Sequence, residues 1–190
     1  MMKELSLHVL DIVENSIRGQ ADNIEIKLSE DIPRDTLSIR ISDDGTGMDK
    51  EFLQSIKNPF TTTRTHRKAG MGIPFLNDTC IQCGGNLDIK STPGKGTTVN
   101  ALMRHSNIDR PPLGDMASTL VNIFASYPDV NFTYIHTYKG RDSETPAEFS
   151  VSTRELNDIL EGVPISTPDV YIWVKEYIGE SIGELYEDIV

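Results

Sequence analysis

Leu37-Ser38-Ile39-Arg40-Ile41-Ser42-Asp43-Asp44-Gly45-Thr46-Gly47-Met48 is the stretch that decides the fold. Its first six residues alternate apolar and polar, which predicts a strand with one buried face. The strand ends in a carboxylate, and two glycines follow closely. Glycine lets a backbone approach a ligand or take positive φ without a Cβ penalty. A carboxylate oxygen facing a pocket accepts a hydrogen bond from an amino group such as that of adenine. Asp-x-Gly-x-Gly alone is a weak signal, since a strand-to-helix connection also uses glycines. Its weight comes from the segments around it.

Upstream, Leu5 to Arg18 reads as a helix, with Leu5, Val9, Ile12, Val13 and Ser16/Ile17 recurring at three- and four-residue steps. Asp11 and Asn15 are four apart and share a face; Glu14 and Arg18 form a second such pair beside it. A carboxylate and an amide presented together suit a hydrated Mg²⁺, with the carboxylate placed to take a proton from water. A polar flank on a surface helix accounts for the same residues. Ile24 to Leu28 alternates as a strand, expected to pair antiparallel with Leu37 to Ser42 through the polar loop at Pro33.

Downstream, a short helix is expected from Asp49, with Phe52, Leu53 and Ile56 as its apolar positions. Asn58-Pro59-Phe60 and Thr61-Thr62-Thr63-Arg64-Thr65-His66-Arg67-Lys68 have no apolar period. They read as a basic, hydroxyl-rich loop of the kind that closes over a polyphosphate. Gly70-Met71-Gly72 then feeds a helix over about Ile73 to Cys83, and glycines at a helix N-terminus expose backbone N–H groups and the positive end of the dipole. Strands are expected at Asn86 to Ser91 and Thr98 to Met103, joined by a Pro-Gly turn that ends at Thr97. Cys80 and Cys83 have redox or metal spacing. With no further cysteine in the chain, two core thiols is the better reading.

The two halves differ in charge. Residues 1–105 carry 13 Lys+Arg against 14 Asp+Glu, and residues 106–190 carry 5 against 15, so −1 and −10 make up the net −11. The division expected is a domain over 1–105 and a small acidic α/β extension over 106–190. The segment 104–112, with Pro111-Pro112, reads as the linker. In the extension a helix is expected over Gly114 to Ser126 and strands over Val130 to Tyr138 and Glu148 to Ser152. A helix capped by Ser152 or Thr153 follows, and a last helix runs over Pro168 to Asp188. An acidic surface argues against nucleic acid and anionic membrane as partners. It leaves a solvated face or a docking site for a basic protein partner as alternatives. No apolar run reaches the length of a membrane span and the start lacks a secretory signal, so a cytoplasmic protein is expected.

Taken in order, these boxes resemble the GHKL superfamily, which includes the ATP-binding domains of gyrase, the Hsp90-type chaperones, MutL and the histidine kinases. The resemblance spans residues 5–103. It implies a Bergerat-type α/β sandwich, with helices on one face of a mixed, largely antiparallel sheet, and ATP with Mg²⁺ held between helices and lid. Carried over, Asn15 matches the Mg²⁺ ligand and Asp43 the adenine-binding aspartate. Gly45, Gly47 and Met48 fall in the first glycine box, and Gly70, Gly72 and Ile73 in the second. Phe60, Thr62 and Arg64 belong to the lid, and Thr97 is the threonine behind the aspartate. The run Asp11-Ile12-Val13-Glu14-Asn15-Ser16 is most similar to the MutL branch, whose first position is a glutamate general base. Asp11 is one methylene shorter, which puts efficient hydrolysis in doubt. Glu14 is the alternative base, although its place beside Asn15 turns it elsewhere on the helix. The lid pattern is that of histidine kinases and anti-sigma-factor kinases, but no phosphoacceptor hairpin precedes the first helix. His8 reads as a core or surface histidine, and His66, His105 and His136 show no partners. Two functions follow: a nucleotide-gated partner-binding switch, or an ATP-dependent serine/histidine kinase or slow ATPase.

Overall fold

The computed structural model describes residues 3–56 and 72–187. The expected lid, with Phe60, Thr62, Arg64 and Gly70, lies outside the described residues. Helix α1 (Leu5–Arg18) is followed by strands β1 (Asn23–Asp31) and β2 (Thr36–Asp43), then helices α2 (Lys50–Ile56) and α3 (Gly72–Gln82). Strands β3 (Asn86–Thr92) and β4 (Gly96–Arg104) complete the first segment. The second consists of α4 (Met116–Ser126), β5 (Asn131–Lys139), β6 (Ala147–Ser152), α5 (Thr153–Ile159) and α6 (Pro168–Glu184).

All six strands form one sheet in the order β3-β4-β2-β1-β5-β6. Every pairing is antiparallel except β1 with β5, which is parallel. This is the expected mixed, largely antiparallel sheet. Along β1, Ile24, Ile26, Leu28 and Glu30 are buried while the residues between them are half-buried, so the helices cover one face. Leu5, Val9, Ile12 and Val13 line the buried stripe of α1, which packs beside α3 and α4.

The second segment shares the core of the first. Phe132 and Tyr134 on β5 and Val151 on β6 belong to the same buried cluster as Ile26 and Ile41. The segment between β4 and α4 is anchored as well. Glu4 offers α1 no side-chain cap, and the first helical N–H groups of Leu5 and Ser6 instead donate to the carbonyls of Pro112 and Leu113, each at 2.9 Å. Helix α4 begins at Met116 rather than Gly114, because the Asp115 side chain caps it by accepting from Ser118 N at 2.8 Å. Helix α6 ends at Glu184, short of the expected Asp188.

Two histidines that looked isolated in sequence are not. Glu30, 4% exposed, accepts from His136 Nε2 at 3.1 Å and His105 Nε2 at 2.9 Å, and the Tyr186 hydroxyl donates to it. The Tyr134 hydroxyl lies 3.0 Å from His136 Nδ1. Burial pushes the Glu30 carboxyl up. The hydrogen bonds from His136, Tyr186 and His105, with the His136 charge, outweigh it and lower the carboxyl to about 2. This buried polar set carries β1 on past Leu28, where the apolar alternation stops.

Candidate functional site

Asp43 sits at the end of β2, opposite Ile24 of β1 and Thr97 of β4, so strands on both sides hold its backbone. Its Oδ1 accepts from Gly45 N at 3.0 Å and Thr97 N at 3.1 Å, and its Oδ2 accepts from Ser16 Oγ at 2.7 Å. Each carboxylate oxygen offers two lone pairs. Among the described residues both on Oδ1 are used and one on Oδ2 is not, which leaves it for a further donor.

A cavity of about 600 Å³ opens beside this carboxylate. Asn15, Asp43, Gly47, Met48, Ile73 and Thr97, all candidates from the sequence, line it together. Ile12, Phe52, Ile56 and Val99 add apolar wall, and Ser16 and Arg18 add polar groups. An apolar cavity with a few convergent polar atoms is the general form of a small-molecule site.

The loop after β2 is shaped by close backbone approaches. Gly47 has φ +65°, and a Cβ there would run into the Thr92 carbonyl, so the position requires glycine. Thr46 N donates to Gly19 O at 2.8 Å, which ties the loop to the end of α1, and Gly45 lies against the same carbonyl without lining the cavity. Met48 N donates to Ser91 Oγ at 2.8 Å; Ser91 Oγ also lies 2.8 Å from Thr97 Oγ1. The Thr97 side chain is therefore engaged behind Asp43, and its backbone N–H makes the contact to the carboxylate.

The remaining candidates among the described residues lie outside the cavity wall. Asp11 packs against the start of α3: a Cβ on Gly72 would lie 2.7 Å from Asp11 Oδ2. Burial raises the Asp11 carboxyl above the usual range, the Glu14 charge adds to this, and Arg18 partly offsets it. Glu14 points to solvent and pairs with Arg18 at 2.7 Å, and Arg18 Nη1 also donates to Asn15 Oδ1 at 3.2 Å. His8 is a core residue, 1% exposed, with Nε2 3.3 Å from Thr79 Oγ1. Cys80 and Cys83 are free and buried, and burial pushes the Cys80 thiol up to about 12. No group of three or more His, Cys, Asp or Glu among the described residues is arranged to hold a metal ion.

Sequence reasoning missed Ser16 and Arg18 as members of the site. Ser16 falls on the buried stripe of α1, where a hydroxyl needs a hydrogen-bond partner, and that was the available signal. Arg18 gave none, because its pairing with Glu14 looked like an ordinary surface ion pair.

Helices over one face of a mixed sheet, with a cavity between a helix and the strand-end carboxylate, define an α/β sandwich with a small-molecule cavity. The family model described as histidine kinase-, DNA gyrase B-, and HSP90-like ATPase matches residues 3–107. The chain belongs to this family. It is 32% identical over 95 residues to sensor protein kinase FleS of Pseudomonas aeruginosa, covering 50% of this chain and 23% of that protein. It is 29% identical over 103 residues to sensor protein kinase GraS of Staphylococcus aureus, covering 52% of this chain and 30% of that protein. The chain thus spans about a quarter to a third of the length of these relatives. Among solved structures, the N-terminal domain of a DNA repair protein shares the fold, with TM-score 0.52 at 15% identity, covering 79% of this chain and 52% of that one. No helix of the described residues is long and apolar enough to cross a membrane.

Proposed function

We propose that this chain is a cytoplasmic ATP·Mg²⁺-binding regulatory protein in which nucleotide in the cavity gates a protein partner on the acidic second segment. The observation that carries the reading is the Asp43 carboxylate, held by three donors with one acceptor position left. That position suits a single N–H such as the adenine amino group. The base lies along Gly47 and Met48 with Thr97 behind the aspartate. The phosphates face Ile73 at the start of α3. Asn15 fits the metal, since Mg²⁺ favours oxygen ligands, takes few from protein and keeps several waters. Bound Mg²⁺ supplies charge neutralisation at the phosphates. Asn15 Oδ1 accepts from Arg18 at 3.2 Å.

Binding without rapid turnover is supported by the two carboxylates named for catalysis. Asp11 is packed on Gly72 outside the cavity wall, and Glu14 faces solvent. The second reading, a protein serine/histidine kinase or slow ATPase, is favoured by the raised Asp11 carboxyl, because a base works best when its pKa approaches the working pH. Single-turnover incubation with γ-labelled ATP and Mg²⁺ separates the two. Tight binding with neither free phosphate nor labelled protein is the expected result. Label on a protein, abolished by Asn15→Ala, establishes a kinase instead; free phosphate lost in Asp11→Ala establishes an ATPase.

A further inference from the structure

Among the described residues the sheet ends at β6, which pairs only with β5. Every second residue of an edge strand turns its N–H and C=O outward. Among the described residues no backbone hydrogen bond from elsewhere meets that outer row over Ala147–Val151. Such an edge is a template for another strand unless it is blocked.

Helix α6 runs over this side of the sheet, burying Val174 and Ile178. It leaves Ile172, Trp173 and Tyr177 at 53%, 44% and 39% exposure. Trp173 and Tyr177 stack with rings 5.7 Å apart and 5° from parallel, and Tyr177 meets Phe149 of β6 edge-on at 5.9 Å. Phe149 in turn meets the fully buried Tyr134 at 6.4 Å. An aromatic series therefore runs from the core, through the edge strand, to a stacked pair in solvent. Glu176 and Glu180 of α6 share the helical face of Trp173 and Tyr177, Glu148 lies on the opposite face of β6 from Phe149, and none of the three is in an ion pair among the described residues.

We propose that the outer edge of β6 takes an extended segment of a partner protein as an added strand, a segment in which basic and apolar residues alternate. Backbone pairing to β6 supplies the affinity. Apolar side chains on one face of the added strand rest on Phe149, Tyr177 and Trp173, and Lys or Arg side chains on its other face meet Glu148. A second copy of this chain is the poorer occupant, because edge-to-edge pairing would bring two segments of charge −10 together. The proposal rests on the partner-binding reading above and names the surface and the chemistry it selects.

Trp173 is the only tryptophan, so its emission reports docking directly. The probes are blocked decapeptides: alternating Lys and Val, alternating Glu and Val, and the Lys/Val peptide N-methylated at every Val or at every Lys. The full chain is titrated with each, with and without ATP·Mg²⁺, and variants are followed by anisotropy of a labelled Lys/Val peptide. Saturable binding of Lys/Val but not Glu/Val is expected. It is abolished by one methylation set and spared by the other, and weakened at least tenfold in Trp173→Ala and in Glu148→Lys. Equal binding of the Glu/Val peptide overturns the proposal, and so does indifference to both methylations. Concentration-dependent dimerisation in sedimentation that shifts Trp173 emission also overturns it, assigning the edge to a second copy. ATP binding with no peptide binding removes this surface and leaves the nucleotide site standing. Peptide binding identical with and without ATP·Mg²⁺ supports the surface and removes the gating.

Discussion

Asp43 shows how much of the site rests on single atoms. In Asp43→Asn an amide NH₂ replaces an acceptor oxygen among donors from Ser16, Gly45 and Thr97. With the amide nitrogen in the Oδ2 position, Ser16 Oγ turns to accept from it and donates to the Ile12 carbonyl, but the free acceptor position is lost. ATP affinity measured by titration calorimetry is expected to fall at least tenfold, and unchanged affinity would remove the site. Ser16→Ala is the milder change. It deletes one hydrogen bond to a charged group, worth about 1.5–3 kcal/mol, and leaves Gly45 and Thr97 in place. Its affinity should therefore lie between wild type and Asp43→Asn, and a loss as large as that of Asp43→Asn would contradict this ranking.

At the scale of elements, α5 depends on two neighbouring side chains. Ser152 and Glu155 form a reciprocal cap: Glu155 N donates to Ser152 Oγ at 3.2 Å and Ser152 N to Glu155 Oε2 at 3.0 Å. The next residue, Thr153, is 5% exposed and accepts from the buried Phe132 N at 3.0 Å, joining α5 to β5. Thr153→Val keeps the shape but orphans that N–H, at a cost of about 1–3 kcal/mol. The expected readout is a lower urea midpoint with the slope unchanged. An unchanged midpoint would mean that water or a shifted strand satisfies the amide. Sequence supplied the cap, because serine and threonine before a helical period have local meaning. The bond to Phe132 spans 21 residues and had no local trace.

For the whole molecule, the second segment is structural as well as acidic. It supplies the strand beside β1 and the carbonyls that close the start of α1. Residues 1–105 alone would expose the β1 edge, and light scattering is expected to show association where the full chain shows none; a monodisperse folded fragment would refute this. Glu30 sets the acid limit. Its carboxyl is lowered in the fold to about 2 from an ordinary value of 4.5. The stability it contributes is therefore complete above the ordinary value and is lost as pH falls from there toward 2. In Glu30→Gln the unfolding midpoint should lose that part of its acid dependence, and an unaltered profile would mean the loss arises elsewhere. The sequence by itself determined the alternating strands, the apolar stripe of α1, the glycine boxes and Asp43, because period, turn chemistry and glycine requirements are local. It also placed Asn15, Met48, Ile73 and Thr97 as candidates, and the fold brings them around one cavity. Only the tertiary structure decided that β5 lies parallel to β1, that Glu30 gathers His105, His136 and Tyr186, and that Ser16 holds Asp43. Each of these joins residues far apart in the chain, and a hydrogen-bond partner across the sheet leaves no period behind.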